Sequence, residues 1–272
     1  MKKLKFINKK TLSCFWPIAS GILAIFSLIA LFIDFDTKAK WYFLGVLIFV
    51  LIVTYVSIYI SHRKKKKVTL KIRQTKIVIK EGDIFEQEGK KLISFNEYFD
   101  TIVDDKIIAK GSLNGIFIEN HVEDIKELDE HLKNELNDRV PKFVDEQRPN
   151  GKKFKYDLGT IVPYGDYLLL AYSRFDSNNR AYMNKEDIPV CYMNMWNEID
   201  IYRASYSINM PLLGGKNFIR GISYTAMQWL ELILWSFRVS EVNLAKNATL
   251  NIIIHESTVD EIDFLKLKDY SD

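Results

Sequence analysis

The chain has 272 residues, 48% of them apolar, 13% aromatic and 27% charged, with only 12 Gly and 6 Pro, which excludes disordered, collagen-like and low-complexity chains and allows a sizeable core in one or two domains. The net charge of +3 averages two unlike regions: residues 1–75 carry about 14 Lys and Arg against two Asp, and the rest is acidic by about nine charges, a balance that argues against a nucleic-acid partner for the larger part. Two cysteines, Cys14 and Cys191, form neither a disulfide framework nor a metal-ligand spacing.

The first predicted elements are two apolar spans, residues 11–33 and 41–60. At about 1.5 Å per residue each is long enough for a hydrocarbon core of about 30 Å. The first run exceeds a signal-peptide core and lacks a small-residue cleavage pattern. Lys2, Lys3, Lys5, Lys9 and Lys10 precede the pair, Arg63 and Lys64 to Lys67 follow it, and the linker of residues 34–40 is balanced in charge. Lys/Arg bias therefore keeps both ends on the cytoplasmic side, and Trp16, Trp41, Tyr42, Tyr55 and Tyr59 fall near the interfaces. Ser20, Ala24 and Ser27 share one helical face, and Gly45, Thr54 and Ser57 form a thinner stripe. Such faces read either as packing within the hairpin or as contacts between copies lining a pore. Residues 1–68 thus form a transmembrane hairpin with basic flanks, leaving residues 69–272 as a cytoplasmic domain.

In that domain residues 76–80 and 91–95 read as buried strands, and Val122, Ile125, Leu128, Leu132 and Leu136 recur at helical spacing up to Pro141. A hairpin follows, with residues 158–162 and 167–172 joined by Pro163-Tyr164-Gly165-Asp166. Residues 193–201 read as a helix, 207–213 as a strand, 224–239 as a buried helix and 250–254 as a further strand. Interleaved strands and helices predict a layered α/β domain with a largely buried mixed sheet.

Ligands of such sheets bind where strands end and helices begin, so three loops carry the candidate site. Gly82-Asp83-Ile84 offers a tight turn and a carboxylate able to accept from an exocyclic amine such as adenine's. Asn96 ends a strand with an amide that can both donate and accept, as a ribose hydroxyl pair requires. Leu213-Gly214-Gly215-Lys216-Asn217, with Arg220 beyond, offers consecutive backbone N–H groups and two cations to an anion. Taken singly, each loop reads better as a plain turn than as a binding loop. Elsewhere His62, His121, His131 and His255 are scattered, and neither a nucleophile elbow nor a phosphate-binding Gly-rich loop of the nucleotide-hydrolase type is present. The sequence therefore nominates no catalytic residue, metal ligand or resident cofactor.

The order of these loops, with the segments "KEGDIFEQEGKKLISFNEYFDT", "SLNGIFI", "YDLGTIVPYGDYLLLAYSRFD" and "PLLGGKNFIRG", resembles a macro domain, and more closely the divergent macro domain of the two-span, type II form of the Thoeris antiphage effectors, the ThsA family. With the hairpin the resemblance covers nearly the whole chain. It implies a macro-like three-layer domain holding adenine at Asp83 and Ile84, a ribose near Asn96 and a diphosphate at Leu213, Gly214, Gly215 and Lys216, with Phe175 stacking on or covering the base. It implies a signal derived from ADP-ribose, in type II systems a histidine–ADP-ribose, released by a TIR-domain enzyme that consumes NAD. It further implies homo-oligomerisation on activation, disruption of a bacterial inner or plasma membrane and death of the infected cell. The sequence departs from macro hydrolases where a glycine-rich loop would follow the Asn-bearing strand: residues 99–105 and 112–115 stand there instead. Two other readings remain: a membrane-anchored ADP-ribosyl hydrolase or NAD-processing enzyme, and a scaffold or small channel subunit that binds protein only.

Overall fold

A computed structural model describes residues 9–32, 36–64, 66–202, 206–215, 218–244 and 248–272. Lys2, Lys3, Lys5, Ile33, Lys65 and the site candidates Lys216 and Asn217 lie outside the described residues. The chain divides into two compact units, Met1–Lys66 with Asp263–Lys266, and Lys67–Ile262 with Leu267–Asp272.

The first unit is built on two long helices, α1 (Lys9–Phe32) and α2 (Thr37–Lys64). They run antiparallel: Phe15 meets the ring of Tyr55 edge-on at 5.4 Å, and Phe26 meets Phe43 at 5.0 Å. Three polar positions of the small faces are satisfied locally. Ser20 donates to the Pro17 carbonyl at 2.9 Å, while Ser27 and Thr54 donate to the carbonyls of Leu23 and Val50 at 2.8 Å, which removes the penalty of a free hydroxyl in an apolar setting. Thr11–Phe32 and Thr37–Ser61 are long and apolar enough to cross a membrane. Trp16, Leu31, Phe32, Trp41 and Phe49 are exposed, so the pair buries little of its own apolar surface.

In the second unit β1 (Lys67–Ile72) and β2 (Thr75–Glu81) form an antiparallel pair, and β3 is Lys90–Asn96. Then come α3 (Leu113–His121), α4 (Ile125–Asn137) and the two-residue strands β4 (Phe143–Val144) and β5 (Phe154–Lys155). The chain continues through β6 (Ile161–Tyr164), β7 (Tyr167–Phe175), β8 (Ala181–Tyr182), α5 (Asp187–Ile201), β9 (Ile208–Pro211), α6 (Ala226–Ser240), β10 (Thr249–Ile254) and α7 (Glu256–Val259). The main sheet runs β1-β2-β10-β9-β3-β7-β6, with β8 on β7. Its five central strands are mutually parallel, and β1 and β6 close the flanks antiparallel.

One sheet face packs on α3 and α4 through Ile93, Phe95, Leu169 and Ala171 against Phe117, Leu128, Leu132 and Leu136. From the other face of β7, Tyr172 meets Tyr192 of α5, and α5 joins α6 where the Trp196 indole donates to Ser236 at 2.9 Å. The result is the layered α/β domain with a mixed sheet that the strand–helix alternation predicts, in the three-layer form that the resemblance implies. The structure adds α3, for which the sequence reading had no element, and begins α4 at Ile125 because Asp124 caps it by accepting from the Lys126 N–H at 2.8 Å. It also starts α5 at Asp187, with Pro189 in the first turn, where no intrahelical N–H bond is needed.

Candidate functional site: a cleft at the carboxyl edge of the sheet

Parallel strands place all their carboxyl ends on one edge. There a cleft of about 780 Å³ runs from His255 and Ser257 after β10, past Pro211 to Gly215 at and beyond the end of β9, to Asn96 at the end of β3 and Ser173 and Phe175 on β7. A further wall is the turn from Ile107 to Ser112 and the start of α3.

Two aspartates build that wall. Asp104 accepts from the N–H groups of Lys106 and Ile107 at 2.9 and 2.7 Å, and Asp105 from that of Lys110 at 2.9 Å. The two backbone donors hold the Asp104 carboxyl below its ordinary value of 3.8. The acidic pair therefore shapes a turn. Its product is a helix start aimed at the cleft: Ser112 accepts from the Gly115 N–H at 3.0 Å, leaving the N–H groups of Leu113 and Asn114 without an intrahelical acceptor. Gly115 is required here, since a Cβ would lie 2.3 Å from the Ala109 carbonyl oxygen. Asn114 is 7% exposed, lines the cleft, and its Oδ1 is enclosed without a hydrogen-bond partner. An unsatisfied buried acceptor costs about 1–3 kcal/mol, so the position is poised for a donor.

The loop after β9 forms the opposite wall. Leu213 is buried, Gly214 has φ +102°, and Gly215 faces open space. The Trp229 indole donates to the Gly215 carbonyl at 3.3 Å, and the Leu212 N–H donates to Ile253 at 3.2 Å, tying the loop to α6 and β10. Arg220 lies elsewhere. Its guanidinium stacks on Tyr182 at 3.6 Å and its N–H donates to the Met183 carbonyl; it is not among the residues lining the cleft.

Asp83 and Ile84 follow β2. Gly82 donates to the Ile254 carbonyl at 3.1 Å, which brings them beside the strand end that continues into His255. Asp83 is exposed and accepts from the Phe85 N–H at 2.9 Å, while Ile84 is buried; neither lines the cleft itself. His255 accepts through Nδ1 from the Ser257 N–H at 3.2 Å, a tautomer that leaves its other nitrogen as a donor. β2 and β7 lie four strand spacings apart, about 19 Å, so the strand ends that lead to Asp83 and carry Phe175 are well separated along the sheet edge.

At the Phe175 end Asn96 is buried and turned inward: Oδ1 accepts from the Tyr98 N–H at 2.9 Å, and Nδ2 donates to Asp100 at 3.0 Å. Beneath it, Glu97 is buried against Arg174 at 3.0 Å, which in turn grips Asp187 at 2.7 Å. Burial pushes the Glu97 carboxyl above its ordinary 4.5, against the opposing pull of Lys155 and Arg174. Among the described residues no group of three or more His, Cys, Asp or Glu is placed to hold a metal ion.

Residues 77–255, which span the sheet from β2 to β10 and all of the cleft lining but Ser257, match the family described as Thoeris protein ThsA, Macro domain. The chain belongs to the Thoeris ThsA family. It is 34% identical over 245 residues to the Thoeris protein ThsA of Bacillus amyloliquefaciens (strain Y2), an alignment covering 88% of this chain and 82% of the relative. Among solved structures it is similar to an Oceanobacillus iheyensis macrodomain with ADP, at 15% identity and a TM-score of 0.46 over 74% of this chain and 93% of that one. A substituted variant of that macrodomain gives 14% identity and a TM-score of 0.47 over 75% and 92% of the two chains. The resemblance of the loops to the family therefore holds at the level of family and domain.

The sequence reading missed Asn114, His255 and the α3 wall. Ser112-Leu113-Asn114-Gly115 does carry a helix-start signature, a hydroxyl three residues before a glycine, but such residues are common in any turn.

Proposed function

We propose that this family member is a membrane-anchored sensor: its cleft binds an ADP-ribose-derived signal, the bound form assembles, and the apolar hairpins then breach the bilayer. The reading rests most on Asn114, an enclosed carbonyl oxygen without a partner at a helix start facing a glycine turn. That pair of walls suits a ligand carrying both hydroxyl donors and an anion: hydroxyls for Asn114, and a diphosphate between the free N–H groups of α3 and the Gly214–Gly215 backbone. Adenine would lie toward Asp83, Ile84 and His255, and the second ribose toward Asn96 and Phe175, with Lys216 and Asn217 as further candidates in the glycine loop. The signal we assign is histidine–ADP-ribose, supplied by a TIR-domain enzyme that consumes NAD. Occupancy shifts the assembly equilibrium only through tighter binding to the assembled form. Turnover is the weaker reading, because Asn114 offers a neutral amide, which is no general base, and Asn96 directs its amide into the protein.

The test is dye release from proteoliposomes containing the full-length protein. Histidine–ADP-ribose should trigger release. Asn114→Leu should abolish the response while raising thermal stability by about 1 kcal/mol, because an unsatisfied buried acceptor is removed. Absence of release from the wild-type protein at saturating ligand would overturn the reading.

A further inference from the structure

One buried charged cluster is left unused by the cleft chemistry. The Arg148 and Asp100 side chains are 6% and 0% exposed. They form a two-bonded pair, with Arg148 donating to both Asp100 oxygens at 3.1 and 2.7 Å. Ion pairs removed from water stabilise little by themselves, since desolvation offsets the attraction; what they do fix is geometry. Arg148 reaches three pieces of the cleft end at once. Through Asp100 it holds Asn96, whose Nδ2 donates to the same carboxylate at 3.0 Å. Directly it donates to Asn179 Oδ1 at 3.0 Å in the loop that follows Phe175. Its guanidinium lies 3.7 Å over the Tyr98 ring and 6.0 Å from that of Phe175. The segment bearing it is locked in place: Lys152 N–H donates to Asp100 at 2.8 Å, and Gly151 has φ +88°, where a Cβ would lie 2.6 Å from Asp100.

We propose that Arg148 is a positioning residue that sets recognition of the ligand's far end, the sugar beyond the diphosphate, by fixing the strand end at Asn96 and the Phe175 ring relative to one another. The proposal rests on the reading of the cleft given above. A lysine keeps the charge but loses the fork and the stacking plane, so Arg148→Lys should retain the fold and loosen this end alone.

Calorimetric titration of the full-length protein in detergent with ADP-ribose and with ADP, which lacks the second ribose, separates the possibilities. The expected result is an affinity for ADP-ribose about tenfold lower in Arg148→Lys with that for ADP changed less than twofold. Asn179→Gly, which leaves the ion pair intact, should show the same selectivity with a smaller loss, and it carries the test if the lysine variant does not fold. Equal losses for both ligands, or no loss for either while the wild type binds both, would overturn the role of Arg148. If the wild type binds neither, the reading of the cleft falls, and this inference with it.

Discussion

Gly214 and Gly215 are chemically identical neighbours with different physical reasons to be glycine. A Cβ on Gly214 would lie 2.2 Å from the Trp229 ring, at a φ of +102° that side chains avoid. One on Gly215 would meet nothing within 4 Å. Gly214→Ala should therefore destabilise the domain by about 2–3 kcal/mol or more, and Gly215→Ala by less than about 0.5 kcal/mol, as measured by denaturant unfolding. The first glycine thus serves packing as much as any ligand, a distinction the string "PLLGG" does not contain. Glu97 supplies a second test. Its folded pKa lies above the ordinary value, so its stabilising contribution is complete below that value and is lost as pH rises through the folded one. Asp187, lowered by Arg174, has the opposite sign: its contribution is present above 3.8 and is lost as pH falls through the depressed value. As the pH is lowered through the raised folded pKa toward 4.5, the wild type should therefore gain thermal stability relative to Glu97→Gln, and a difference independent of pH would refute the assignment.

At the level of elements, legibility followed the strength of local pattern. Helix α4 announced itself because Leu128, Leu132 and Leu136 line one buried face between charged neighbours. Helix α6 was found from its apolar run, and its start is fixed by a reciprocal cap in which Thr225 accepts from the Gln228 N–H and Gln228 accepts from that of Thr225. Thr225→Ala should cost about 1 kcal/mol, read as a shift in the urea midpoint without a change in slope. Helix α3 escaped notice because it is 9 residues long and lies almost wholly between a turn and the core; its period is too short to register against the glycine and asparagine within it.

Across the whole molecule, local composition announced two apolar spans, a layered α/β domain and the loops that carry the family likeness, because membrane length and core periodicity are written in consecutive residues. Which loops meet was decided only by the strand order β2-β10-β9-β3-β7. That order joins the end of β2 to His255, parts Asp83 from Phe175, leaves Arg220 on Tyr182 and brings Arg148 under Asn96. These pairings connect residues far apart in the chain, such as Asp100 with Arg148 and Gly214 with Trp229. Their energies depend on desolvation and close approach in three dimensions, which no run of neighbouring residues can encode by itself.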